Sequence, residues 1–366
     1  MSPAFPASAA VLRARGLTDA EYGSIFLPQM TLAAAGAMGA GFVIDRLGAK
    51  RTLALGIVFM GLSQVALAAV AFAPPGFVYP IALLGTSLLG LGAGVSAGPL
   101  NAYPQVLFPS QSESAVVVLH TIVGVGLAVT PVLAGATLAH DAWLVLPLLL
   151  AAANAGLLIV VEREDLPEPE PRLRGAPPDR PVGDGALWVF LGAGVLYGVT
   201  EAVYGNWAVV YLVEERGLGV AAAGLALGVF WASVTVGRLA VAAAVLRVPP
   251  APVLPVIATL MAGACLLVPL ADTARGAVLV FALGGLGCSA VFPLAVGLAG
   301  RLFPAHRAWV SSALFAALVG GQGAGSLLTG LLHERLDLGT IYRLAALPSA
   351  LVIALALRAT RASPRP

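Results

Sequence analysis

Long apolar runs alternate with short polar breaks along nearly the whole chain. They fall at 22–44, 52–72, 78–102, 115–137, 141–161, 187–213, 220–244, 251–271, 275–300, 308–332 and 339–358. Each run is about 20 residues or more, enough for an α-helix to cross a hydrocarbon layer about 30 Å thick. The pattern therefore predicts an all-α integral membrane protein with about eleven whole spans. Residues 4–12 are also apolar, but they are too short to cross and no basic segment precedes them as a signal peptide would require. They read as the tail of a further, incomplete helix.

One polar stretch is longer than the rest. Residues 162–186 interleave Pro167, Pro169, Pro171, Pro177, Pro178 and Pro181 with Glu and Arg, a composition that suits an extended linker and cannot bury a core. The linker divides the chain into an N-terminal bundle over 1–161 and a C-terminal bundle over 187–366, and the two parts resemble each other. Leu91-Gly92 and Leu107-Phe108-Pro109 recur 195 positions later as Leu286-Gly287 and Leu302-Phe303-Pro304, and Gly126 and Gly135 recur as Gly321 and Gly330. Earlier in the chain the offset is 201, with Gly16-Leu17 and Gly23 matched by Gly217-Leu218 and Gly224. Carried back from the span at 187, that offset starts the first helix about fourteen residues before Met1. The expected architecture is twelve helices in two pseudo-symmetric bundles of six, the first helix largely missing.

Composition strengthens this picture. Only 10% of residues are charged, against 59% hydrophobic, whereas a soluble domain carries about 25% charge. A net charge of +2 gives no reason to expect nucleic acid. Cys265 and Cys288, the two cysteines, both fall inside spans, so neither a disulfide framework nor a metal site is expected. Paired catalytic acids and a nucleophile with a nearby base are missing from the spans, so the chain does not read as an enzyme. Lys and Arg give an orientation. Arg46, Lys50, Arg51, Arg163, Arg172, Arg174, Arg180, Arg247, Arg301, Arg307, Arg358, Arg361 and Arg365 fall on one side, and Arg13, Arg15, Arg216, Arg275, Arg335 and Arg343 on the other. The positive-inside rule makes the first side, with the linker and the C-terminus, cytoplasmic in a cell membrane.

In so apolar a chain the charge cluster between the first two whole spans stands out. Gly41-x-x-x-Asp45-Arg46-x-Gly48-x-Lys50-Arg51 resembles the signature loop of the major facilitator superfamily of secondary transporters. The repeat extends that resemblance over essentially the whole chain. The resemblance implies that the loop glycines allow close approach to a helix of the other half. It also implies that Asp45 sits by the N-terminus of the span at 308, where the helix dipole favours an acid by about 0.3–1 kcal/mol, latching one of two transport states. In the second half, Gly237-Arg238-Leu239-Ala240-Val241 keeps a glycine but puts Val241 where the acid would stand.

Polar residues inside the spans mark the candidate binding site, since a mid-bilayer carboxylate costs several kcal/mol unless paired, protonated or hydrated. Glu201 is the only acid inside a span away from its ends, and it lies near the middle of its helix. Tyr197, Glu201, Tyr204, Ala208 and Tyr211 share one helical face, which reads as a carboxylate flanked by three phenols on the wall of a wet cavity. Counting residues from the span ends puts Trp231 and Gln322 at the same depth, and Arg238 about 9 Å further toward the cytoplasm. There Arg238 either reaches back to Glu201 or snorkels to the interface. Asn101, Gln105 and His120 cluster near the cytoplasmic ends of their spans and suit an inner gate.

Tyr197-Gly198-x-x-Glu201-x-x-x-Gly205-Asn206-Trp207-x-x-x-Tyr211-Leu212 is similar to the seventh helix of the fucose-permease-like branch of that superfamily. Asn101, Leu107-Phe108-Pro109 and Leu119-His120 are similar to its fourth and fifth helices. That resemblance implies sugars or polyols coupled to protons, with Trp207 or Trp231 as stacking surfaces and Glu201, Asn206 and Gln322 as hydrogen-bond partners. The chain departs at Ala97, where sugar-symporting relatives carry a carboxylate. A rival likeness is Gly126-x-x-x-Thr130-Pro131-x-x-Ala134-Gly135, which resembles the fifth-helix motif of drug and metabolite antiporters. A non-transporting membrane sensor or scaffold is the alternative of a different class. The expectation is thus an alternating-access transporter, a monomer in the lipid bilayer, with a small-molecule substrate, no cofactor, and a proton as coupling ion.

Overall fold

The computed structural model describes residues 3–108, 110, 112–167 and 181–362. Most of the 162–186 linker, with Arg172, Arg174 and Arg180, lies outside the described residues, as does Arg365. Among the described residues eleven helical segments are long and apolar enough to cross a membrane. In chain order the helices are α1 (Ala4–Ala7), α2 (Ala9–Ala14), α3 (Asp19–Ser24), α4 (Phe26–Leu47), α5 (Ala49–Ala69), α6 (Pro75–Leu107), α7 (Ser112–Ala139) and α8 (Val145–Arg163), followed by α9 (Gly185–Val210), α10 (Val220–Ala244), α11 (Pro250–Leu267), α12 (Ala274–Cys288), α13 (Val291–Leu302), α14 (Arg307–His333) and α15 (Leu338–Ala362). The short α1 and α2 bend at Ser8, whose Oγ accepts a 2.8 Å bond from Trp143 Nε1.

Two elements differ from expectation. The stretch 41–51 is not a loop: α4 runs to Leu47, α5 starts at Ala49, and Gly48 alone makes the corner with φ 82°, a conformation open mainly to glycine. The span at 275–300 is broken at Ser289-Ala290, where α12 ends and α13 begins. Pro293 explains the break, because in a continuous helix it would have no N–H to give Ser289 and its ring would press on that carbonyl.

The internal repeat is a repeat of contacts. A methyl on Gly90 would come within 2.0 Å of Gln29 O, and one on Gly285 within 2.3 Å of Phe230 O. Gln29 and Phe230 are 201 apart, Gly90 and Gly285 195 apart, so α4 crosses α6 as α10 crosses α12. Leu107 and Leu302 both end helices, and the following Phe108 and Phe303 take matching backbone angles (φ −129°, ψ 61° and φ −117°, ψ 63°). The same register corrects one sequence alignment. Gly237 packs on Leu286 and Ser289 as Gly36 packs on Leu91 and Val95, so Gly237 corresponds to Gly36. The counterpart of Asp45 is Leu246, which still carries no acid.

The halves meet along two pseudo-equivalent seams. Gly23 lies against Ser326 and Gly330, and Gly224 lies against Pro131 and Gly135. These contacts sit toward the face that carries Arg13. The opposite face, carrying Lys50, is splayed. Residues 23, 27, 30, 34, 38, 41 and 45 share a stripe about 80° wide on one helix face. At its upper end Leu27 and Met30 pack on Gly323 of α14, whereas Met38 is 73% exposed, nothing lies within 4 Å of a methyl placed on Gly41, and Asp45 is not buried. The close approach of Gly41 to α14 expected from the sequence is therefore not made in this conformation. Lys50 instead caps the end of α8, its Nζ 2.9 Å from the carbonyls of Glu162 and Glu164, and Arg46 lies over the Phe42 ring at 4.1 Å.

Candidate functional site

Between the halves lies a cleft of about 160 Å³, lined by Glu201, Ala202, Gly205 and Asn206 of α9, Trp231 and Arg238 of α10, Leu318 and Gln322 of α14, Gln29 and Met30 of α4, Leu127 of α7, and Pro3 and Pro6. The depth match among Glu201, Trp231 and Gln322 becomes convergence on one cavity. Glu201 is 4% exposed. Tyr197 OH stands 2.8 Å from its Oε1, and Gln322 Nε2 donates to its Oε2. Hydrogen bonds to a charged group are each worth about 1.5–3 kcal/mol, which offsets much of the cost of holding a carboxylate away from water.

Other polar atoms in the cleft lack such partners. Gln29 Oε1, Gln322 Oε1 and Trp231 Nε1 are buried with no hydrogen-bond partner among the described residues. A buried polar group left unpaired costs about 1–3 kcal/mol, so the two acceptors and one donor leave this cavity with hydrogen-bonding capacity the protein itself does not use. Arg238 also faces the cleft. Its Nε donates to Ser289 O at 3.1 Å, so it neither pairs directly with Glu201 nor leaves for the interface.

Several predicted site residues lie elsewhere. Tyr204 stacks on Phe230 with ring centroids 5.1 Å apart and meets Phe281 and Tyr342 edge-on, inside the second half. Tyr211 packs beside Tyr342. Trp207 is fully buried at the closed seam, edge-on to Tyr22 at 4.9 Å, and does not line the cleft. The error is one of azimuth. Glu201, Ala202, Gly205 and Asn206 centre on a direction about 110° from the expected Tyr197–Tyr211 stripe at 100° per residue. Glu201 belongs to both only because it sits at their shared edge.

Asn206 Nδ2 donates to Ser326 Oγ at 2.5 Å, and the Asn206 backbone carbonyl accepts from Tyr22 OH at 2.6 Å, so the residue ties the cleft to the seam. His120 Nε2 and Asn101 Oδ1 are 3.0 Å apart, linking α7 to α6 within one half, and Gln105 follows one turn further along α6. The antiporter-like motif in α7 is taken up by packing: Thr130 Oγ1 donates to Gly126 O at 2.8 Å, while Pro131 and Gly135 receive Gly224. Sequence reasoning missed Gln29. Its signal was a lone amide in an apolar run, in the half where no carboxylate drew attention.

The comparisons with known proteins agree with this architecture. The Major Facilitator Superfamily model matches residues 1–283. No curated protein matches the chain at the sequence level. Among solved structures, a point mutant of the nucleoside transporter NupG is 15% identical with a TM-score of 0.78, the match covering 98% of this chain and 94% of that one. The D-xylose-proton symporter is 16% identical with a TM-score of 0.75, covering 99% and 93%. A point mutant of the E. coli fucose:proton symporter FucP is 18% identical with a TM-score of 0.59, covering 99% and 98%. At these identities the likeness is one of fold, and the family match covers well over half of the sequence. With its spans, its repeated halves and its central cleft, this multi-pass membrane protein belongs to the Major Facilitator Superfamily of transporters.

Proposed function

We propose that the chain is an alternating-access secondary transporter of a small, polyhydroxylated solute of the sugar, polyol or nucleoside kind. The observation that carries this reading is the set of unpartnered groups in the cleft: Gln29 and Gln322 offer acceptors and Trp231 offers a donor beside its aromatic face. A guest with several hydroxyls satisfies all three, whereas a hydrophobic cation satisfies none and meets Arg238. The solved structures of similar fold that transport nucleosides, xylose and fucose give the same direction. Glu201 is the proposed coupling group, a proton the proposed ion, and Asn206 a link between the site and the seam. With the Lys50 face cytoplasmic, the conformation described is open to the inside of the cell membrane.

The test is uptake into proteoliposomes under an imposed proton gradient, with labelled sugars, polyols and nucleosides offered in parallel. Accumulation of one of these that collapses with the gradient, and that Glu201→Gln renders independent of pH, is expected. Uptake confined to lipophilic cations, or Glu201→Gln with unchanged affinity and unchanged pH response, would remove this reading.

A further inference from the structure

The break between α12 and α13 leaves two backbone carbonyls inside the membrane without the helical partners a continuous helix would supply. Pro293 has no N–H for Ser289 O, and the offset of α13 carries Phe292 N out of register with Cys288 O. Side chains fill both places. Arg238 Nε donates to Ser289 O, and Tyr197 OH lies 2.8 Å from Cys288 O. The same Tyr197 oxygen lies 2.8 Å from Glu201 Oε1. A phenol has one proton to donate, so it cannot serve both acceptors at once.

We propose that Tyr197 is a positioning residue that reports the protonation state of Glu201 to the break at Ser289-Ala290. The inference rests on the reading of Glu201 as the coupling group. When Glu201 is ionised, its Oε1 takes the Tyr197 hydrogen bond and Cys288 O loses its donor, which loosens the junction. When Glu201 is protonated, its own O–H donates to the Tyr197 oxygen and the phenol proton turns to Cys288 O, which fixes the junction. No proton leaves Tyr197 in either state; one proton is gained or lost at Glu201 and one hydrogen bond changes direction. The groups facing Glu201 are Tyr197 on its own helix, Gln322 on α14, Cys288 on α12 and Arg238 on α10, with His120 on α7 beyond Arg238. Half of a discontinuous span is thereby tied to the ionisation of the site.

Hydrogen–deuterium exchange of the full chain in lipid nanodiscs tests this, read on peptides covering 288–294 across a pH series and corrected for intrinsic exchange. The wild type is expected to gain protection at the junction as pH falls, and Glu201→Gln and Tyr197→Phe are each expected to abolish that dependence. Pro293→Ala, which allows a continuous helix, is expected to give pH-independent protection with Glu201 and Tyr197 intact. Retained pH dependence in Tyr197→Phe or in Pro293→Ala overturns the relay. Should uptake by Tyr197→Phe keep a wild-type pH profile that Glu201→Gln flattens, the relay fails while Glu201 stands as the coupling group.

Discussion

Arg13 grips Glu214 with both arms of its guanidinium, Nε 2.5 Å from Oε1 and Nη2 2.9 Å from Oε2, joining residues one repeat offset apart, 201 positions, across the closed face. Asp19 also accepts from Arg13 Nη1. Burial opposes the charge of Arg13, but the bonds and charges of Glu214 and Asp19 overcome it and raise the guanidinium further above its ordinary value. Nearby, Glu215 accepts from the backbone N–H groups of Leu338 and Gly339 at the start of α15, so the closed face is also braced within the second half.

The first prediction concerns that pair. Partly exposed ion pairs contribute about 0.5–1 kcal/mol, so Arg13→Ala or Glu214→Ala is expected to shift the closed population on this face by about two- to fivefold. Spin labels placed on either side of the seam and measured for distance check this. The double variant should do no more than either single one, and high salt should mimic it.

The glycine seams should be less forgiving. A methyl on Gly23 would lie 2.5 Å from Ser326 O, and one on Gly224 2.4 Å from Pro131 O. Overpacking of this kind costs about 1–3 kcal/mol. Gly23→Ala and Gly224→Ala are each expected to hold the Arg13 face ajar and slow transport about tenfold, with the binding affinity nearly unchanged. Thiol labelling from that face, together with uptake rates, separates this from loss of the site.

Two tryptophans test the azimuth of the site. Trp231 offers an unpaired Nε1 to the cleft, whereas Trp207 is sealed behind Tyr22. Trp231→Phe keeps a ring and removes the donor, so affinity for the transported solute is expected to fall by about two- to tenfold, the worth of one neutral hydrogen bond. Trp207→Phe is expected to leave affinity within about twofold. Equilibrium binding to the purified protein distinguishes the two, and a larger effect at Trp207 would return the site to the face predicted from sequence.

Asp45 is exposed near the end of α4, one turn beyond Gly41. The latch we propose for it belongs to the opposite conformation, where the Lys50 face closes around Gly41. Asp45→Asn is expected to slow turnover and to bias the population toward opening on the Lys50 face without changing substrate preference. Accessibility of a single cysteine on α4 checks the bias, and a selective loss of one substrate would count against it.

Glu201 shows how far local sequence reaches. As the lone acid away from the ends of a span it was identifiable at once, and counting residues brought Trp231 and Gln322 to its depth, because helical rise is fixed whatever surrounds the helix. The face was another matter. Tyr204 and Tyr211 obey the same helical spacing yet pack among Phe281 and Tyr342, since α9 is buried against neighbouring helices over much of its circumference and spacing does not say which side meets the cleft. In lipid the outside of a bundle is as apolar as its packed interior, so amphipathicity gives little guidance.

The sequence by itself determined the number and extent of the spans, the two offsets of the repeat, the superfamily signature and the central acid. These depend on length, hydropathy and covalent order, which are local properties. Only the tertiary structure decided that the stretch 41–51 is two helices hinged at Gly48, that Gln29 joins the site, and that Tyr197 bridges Glu201 to a broken helix. It alone also set which face is closed. Each of these depends on the rotation and approach of helices that lie far apart along the chain, and close packing through glycine fixes those rotations only once both partners are in place.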